Sequence, residues 1–288
     1  LEKLAGHIIG LWRFFGMRAQ MLDPLLNICA LIALVPVILG GLGIGAALIW
    51  SCAQSWFFPD PLPTRISFEH WQDWTNIGPL LGASCWLAIL SSCLATAVVF
   101  LWLYNQDHRT APNKFITAAL FLPLLVPQVS FLFGLQIGLS WAGLDGSWSV
   151  LVYSHMIFIM PYVWLVLAPA FAAMDHRHER IAASLGLGAV ARFFQIYIPL
   201  LAFPIGTALF IGISVSIALY LPTIFVGSGR INTITVEAVS LGANGGRGPA
   251  GVAAILQILV PLIGFAIIQL YLKLRFRRFA DMKSGNNA

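Results

Sequence analysis

The sequence predicts an all-α, polytopic membrane protein with about six transmembrane helices, and three observations predict it. Hydrophobic residues fill 59% of the 288 positions and charged residues 9%, too few charges to coat a water-soluble body of this length. Six apolar runs follow one another, at about 25–50, 78–104, 115–141, 148–173, 199–221 and 250–274. Each suffices for a helix to cross about 30 Å of hydrocarbon, which takes roughly 20 residues. The basic residues are divided unevenly between the two sides these spans define. Lys3, Arg13, Arg18, Arg109, Lys114, Arg177, Arg180, Arg192, Lys273, Arg275, Arg277, Arg278 and Lys283 fall on the side of the termini, and Arg65, Arg230 and Arg247 on the other. That asymmetry makes both termini and the loops around 105–114 and 174–198 cytoplasmic. The net charge of +5 therefore reports topology, and no solvated basic face for nucleic acid is left.

Residues 1–24 mix Trp12, Phe14 and Phe15 with Arg13 and Arg18, the composition of a cytoplasmic or interfacial amphipathic segment. Charges throughout this stretch argue against a cleavable signal peptide. Leu1 in place of Met is expected of a trimmed chain or of the later part of a longer polypeptide. The transmembrane domain then runs from 25 to 278, with a cytoplasmic tail at 279–288. In the first span, Gly40, Gly41, Gly43 and Gly45 are expected to permit close helix approach. The outer loop 53–77 contains Pro59, Pro61 and Pro63, which forbid regular helix there, and Trp71 and Trp74, which suit a membrane-surface belt. Prolines 123, 127, 161 and 169 are expected to kink the third and fourth spans.

His155 is the one ionisable residue deep in a span and is a pathway candidate; packing as a hydrogen-bonded neutral imidazole is the competing reading. Gln128 and Gln136 lie within about 80° on a helical wheel and are candidates for the same interior. Cys29, Cys52, Cys85 and Cys93 have no metal-ligand spacing and read as buried small apolar residues. No catalytic residue and no metal ligand is assigned. Trp141, Trp148, Tyr153 and Trp164 would suit an organic cation or, equally, a lipid-facing belt.

The stretch 179–204 is polar, internally patterned and set between apolar runs. Residues 179–185 suit a helix that Gly186 and Gly188 would end. A second short helix follows, with Val190, Phe193, Phe194 and Tyr197 on one face and Arg192 and Gln195 elsewhere. Pro199 marks a corner or the first turn of the next helix. Such an apolar face must meet lipid, its own bundle or a partner.

The spacing from Gly186 through Ile196 to Pro199 resembles the cytoplasmic loop of binding-protein-dependent ABC importer permeases, the MetI-like transmembrane subunits. Their pattern is Glu-Ala-Ala, three residues, Gly, nine residues, Ile, any residue, Leu, Pro. Here Arg180 and Ile181 replace the first two positions, Ala182 is kept, Glu179 lies one place early, and Ile198 stands for Leu. The resemblance implies a type I ABC importer permease fold and a coupling loop at about 179–199, which would dock on ABC ATPase subunits through Ala182, Gly186, Val190, Phe193, Phe194, Ile196, Tyr197 and Pro199. It also implies ATP and Mg on the partner ATPase with no cofactor in this chain, a second permease half, a periplasmic or extracellular substrate-binding protein, and a bacterial inner-membrane location.

The polar region 222–249 includes a short helix at 233–241 bearing Glu237 on the outer side. With the segment 143–148 it resembles the C-terminal half of fused thiamine-type or YnjC-like permeases, over roughly residues 70–278. That implies a gate-like outer loop at 222–249, and a thiamine-like small solute among other candidates. The expected function is thus a transport subunit rather than an enzyme, since no G-x-x-x-x-G-K-[ST] occurs. A secondary transporter or channel working without an ATPase is the alternative, and a membrane enzyme a distant third.

Overall fold

The computed structural model describes residues 22–56, 60, 63, 65–106, 114–144, 146–174, 177–184 and 186–284. The interfacial segment expected at 1–24 lies outside them up to residue 21. Four helices are long and apolar enough to cross a membrane unbroken: α1 (Leu22–Ser51), α3 (Trp74–Asn105), α6 (Trp148–Ala172) and α13 (Arg247–Ser284). Two bent pairs bring the total to six if each pair is one span. The first pair is α4 (Lys114–Leu125) with α5 (Gln128–Trp141), bent by 103°. The second joins the short helices ending at Leu200 to α10 (Ala202–Ala218), with a bend of 73°.

The expected third span is therefore not one helix. Pro127 has no N–H to continue the ladder and disfavours helix at Val126, so the chain turns there. The last span is the apolar part of α13, Arg247–Arg275, and the helix runs on to Ser284, into the tail expected at 279–288. Helices α2 (Glu69–Gln72), α11 (Leu221–Gly227) and α12 (Ile234–Ala243) are short. An antiparallel pair of strands, β1 (Ala53–Ser55) and β2 (Arg65–Ile66), closes the loop after α1.

Helices α3, α6 and α10 pack on one another as the centre of the bundle, and α13 packs on α10 while also carrying α1. The centre is tight because of Gly212 on α10. A methyl group there would lie 2.9 Å from Ser92 Oγ and 3.1 Å from Ile159. The glycines expected to bring α1 close do not do so, since nothing lies within 4 Å of the side-chain position of Gly40, Gly41, Gly43 or Gly45. Close approach uses the partner helix instead: Gly251 of α13 sits so near α1 that its missing Cβ would be 2.7 Å from the Ala47 carbonyl oxygen. The four glycines sit away from the contact and leave an outward surface.

Three of the cysteines are not core residues either, and the side chain of Cys29 lies outside the described ones. Cys93 is exposed on α3, and Cys52 and Cys85 are half-buried. Thiols tolerate hydrocarbon, so burial was not required. Trp71 packs against the cluster of Ile234, Val252, Ala253 and Leu256, whereas Trp74 is exposed. The four aromatic residues considered for a cation do not converge: Trp141, Trp148 and Tyr153 face outward, and Trp164 is buried and stacked on Trp102 at 4.4 Å.

Candidate functional site

The corner that leads into α10 begins with α7 (Arg177–Ser184), whose Ala182 is buried. Gly186 follows with φ +80°, and the Leu187 N–H bonds back to the Ala182 carbonyl at 3.0 Å. A left-handed residue with that return bond closes the end of a helix, and glycine adopts it without strain. Helix α8 (Ala189–Arg192) then continues into a π-helical turn, Phe193–Tyr197, and a last turn α9 (Ile198–Leu200). Pro199 stands at the start of α9, where its missing N–H costs no ladder bond.

The apolar stripe expected on one face of this helix divides in two. Phe193 and Tyr197 turn into the bundle, Tyr197 being 1% exposed, while Val190 and Phe194 stay 72% and 62% exposed. The four positions span about 100° of a helical wheel, and the wider π turn rotates the later ones further. An arc that broad straddles the boundary between bundle and solvent. Ile181 on α7, 58% exposed, adds to the outward part. Ile196 is partly buried beside the inward part.

The inward part is anchored by aromatic rings that sequence reasoning did not find. Phe193 packs edge-on against Phe100 and Tyr104 of α3, at 5.4 and 5.2 Å between centroids. Tyr197 meets Tyr104 at 4.8 Å and Phe171 of α6 at 6.1 Å, and Phe100 meets Phe171 at 5.1 Å. Edge-to-face pairs contribute about 0.5–1.5 kcal/mol each beyond the area they bury. The Tyr104 hydroxyl also donates to the Ala189 carbonyl, 3.0 Å away. Force applied to the loop therefore reaches α3 and α6 directly. The available signal was the i, i+4 pair Phe100 and Tyr104 near the C-terminal end of α3; their partners lie too far along the chain for periodicity to reveal.

The other candidates occupy three separate places. His155 is fully buried on α6, with Nδ1 2.9 Å from Ser216 Oγ on α10 and Nε2 3.1 Å from Thr223 Oγ1 on α11. Thr223 donates its own proton to the Leu219 carbonyl, so it accepts from His155 Nε2–H. A neutral imidazole then receives the Ser216 hydroxyl at Nδ1. Ser216 also lies 3.2 Å from Ser91 on α3, and the knot ties four helices. Every polar atom of the ring is spent on this tie.

Glu237 lies on α12, whose entry is fixed by the Ile234 N–H to Ser84 Oγ bond of 2.8 Å and by the Thr235 hydroxyl donating to the Ile217 carbonyl. It lines a cavity of about 420 Å3 with Glu69, His70, Asp73 and Asn76. Gln128 lines a different cavity, at the α4–α5 break, which Gln136 does not reach. Among the described residues no group of three or more His, Cys, Asp or Glu is placed to hold a metal ion.

Comparison with known proteins agrees with this architecture. The family described as binding-protein-dependent transport system inner membrane component matches residues 107–278. The inner membrane ABC transporter permease protein YnjC of Escherichia coli (strain K12) is 34% identical over 187 residues, covering 65% of this chain and 35% of YnjC. The chain thus spans about a third of that relative's length. PhnV of Salmonella typhimurium, a protein named as a permease of a 2-aminoethylphosphonate transport system, is 22% identical over 233 residues, covering 77% of this chain and 85% of PhnV. In the crystal structure of a bacterial alginate ABC transporter with its alginate pentasaccharide-bound periplasmic protein, one chain shares the fold. Its TM-score is 0.53 at 18% identity, over 93% of this chain and 98% of that one. With the family match covering more than half of its residues, the chain belongs to the inner membrane components of binding-protein-dependent transport systems.

Proposed function

We propose that the chain is one permease half of an ATP-driven importer, and that its cytoplasmic corner converts ATPase movement into alternating access. The observation that carries this reading is the division of the corner. Val190, Phe194 and Ile181 form an exposed apolar surface, while Phe193 and Tyr197 fasten the same helix to α3 and α6. A surface that only rested on lipid would not need so rigid a connection to two spans. A partner that grips the outer side of the corner in one nucleotide state and shifts it in another would move those spans as a body.

ATP and Mg then belong to separate ABC ATPase subunits, a second permease half completes the path, and a periplasmic binding protein delivers the solute. The charge asymmetry supports a cytoplasmic position for the corner and both termini. The thiamine-like solute finds no support, because the relatives' names carry 2-aminoethylphosphonate in one case and alginate in another. Against a secondary transporter, no Asp or Glu falls within α3, α4, α5, α6 or α10, so these helices have no carboxylate for ion coupling. Purification from native membranes in mild detergent tests the reading. An ABC ATPase and a second permease half should stay bound; a chain that emerges alone or self-associated would favour the channel alternative.

A further inference from the structure

We propose that the cavity at the α4–α5 break is a hydrated station on the translocation path, where Gln128 and Tyr162 hold a small hydrophilic solute by hydrogen bonds. This rests on the permease reading and adds to it the residues that meet the solute.

By composition, 115–141 is a single apolar run, yet its direction changes by 103° between Leu125 and Gln128. Neither residue of the turn, Val126 or Pro127, is bonded into both helices. The Val126 N–H bonds to the Leu122 carbonyl at 3.0 Å, and the next bond is from the Phe131 N–H to the Pro127 carbonyl at 3.1 Å. The carbonyls from Pro123 to Val126 and the N–H groups of Gln128, Val129 and Ser130 are thus released from the helical ladder. Residues 123–128 line a cavity of about 410 Å3, closed by Phe158 and Tyr162 of α6 and by Val215 and Leu219 at the outer end of α10.

Three helices place this cavity at mid-depth. Tyr162 is ten residues from the cytoplasmic end of α6, Val215 thirteen from that of α10, and Val126 twelve from the start of α4. At the α-helical rise these are about 15, 20 and 18 Å, within a hydrocarbon layer of about 30 Å. Open backbone at that depth is tolerated only where protein covers it or a wet cavity receives it. Here the same residues line a cavity, so water reaches them.

The side chains point to the same conclusion. Gln128 and Tyr162 are half-buried, and neither the amide nor the phenol has a hydrogen-bond partner among the described residues. No Asp, Glu, Lys, Arg or His lines the cavity. The wall offers donors and acceptors without a fixed charge, which suits a hydrophilic solute carrying both rather than a bare ion or an apolar molecule. Its volume lies within the roughly 300–1,000 Å3 of small-molecule sites.

The test uses the assembled transporter in native membrane vesicles, with Cys29, Cys52, Cys85 and Cys93 replaced by Ser. Single thiols are introduced by Gln128→Cys, Tyr162→Cys and Phe133→Cys, the last on the exposed outer flank of α5. The probe is a small, permanently charged methanethiosulfonate, which reacts with the thiolate and hence only where water reaches. Gln128→Cys and Tyr162→Cys should label roughly ten-fold or more faster than Phe133→Cys. Leu124→Cys, also on the cavity wall, repeats the measurement if either variant fails to assemble. Labelling no faster at the cavity positions than at Phe133→Cys overturns the proposal. ATPase copurification is independent: a bound ATPase with unlabelled cavity thiols removes the station alone, whereas labelled thiols without an ATPase keep the wet cavity and remove the importer.

Discussion

The chain turns sharply beside a proline at two places, and the two corners end in opposite chemistry. At Pro127 the turn falls inside a span, no residue of the turn is bonded into both helices, and half-buried polar side chains line a cavity. Near Pro199 the turn falls at the end of a span, and its residue Leu201 is bonded into both helices: the Leu201 N–H bonds to the Tyr197 carbonyl and the Ile205 N–H to the Leu201 carbonyl, both at 2.9 Å. Aromatic rings from α3 and α6 then fill its inner side. A proline without a helical ladder around it opens a site. A proline followed by a turn residue bonded into both helices makes a rigid bracket. If this contrast is right, substitutions at the bracket change stability or coupling, and substitutions at the open corner change function alone.

The largest effect on stability is expected from Tyr197→Ala. It removes a 1%-exposed ring from the bracket and should cost about 3–5 kcal/mol, read as a lowered midpoint of thermal unfolding in detergent. Gly212→Ala should cost about 1–3 kcal/mol by overpacking α10 on Ser92 and Ile159; an unchanged melting curve would show that α3 and α10 are less closely fitted. His155→Leu leaves Ser216 and Thr223 without their ring partner and should cost about 1–3 kcal/mol. Transport should survive that change, because the ring makes only structural bonds; complete loss of transport in a normally assembled variant would make His155 a pathway residue. Gln128→Leu should leave the melting curve within about 0.5 kcal/mol of the parent while altering solute-dependent ATP hydrolysis. A large stability loss there would erase the contrast between the corners.

Much of the fold was legible because membrane spans are written in composition. The apolar runs located four helices and both bent pairs, and Gly186 and Pro199 marked the ends of the corner because a left-handed turn and a missing N–H have local signatures. Three features were not legible. Pro123 and Pro127 were visible as kinks, but the 103° angle depends on which neighbours leave room for the turn. The glycines of α1 looked like a contact surface, yet contact was set by Gly251 on another helix. The stripe of Val190, Phe193, Phe194 and Tyr197 was found as a set; its division required Phe100, Tyr104 and Phe171, which come from distant sequence. An experiment aimed at Phe193 would have struck the anchor and not the outward surface.

The outward surface carries the central claim, and Phe194→Asp tests it most directly. The substitution charges a 62%-exposed ring and leaves the Tyr197 bracket in place. The measurement is ATP hydrolysis by the assembled, reconstituted complex, beside thermal unfolding of the same preparation. The account predicts an unchanged unfolding midpoint with hydrolysis no longer stimulated by the binding protein, and loss of ATPase copurification if the contact is tight. Wild-type stimulation in a fully assembled Phe194→Asp complex would contradict it, and would return the corner to a helix that rests on the membrane.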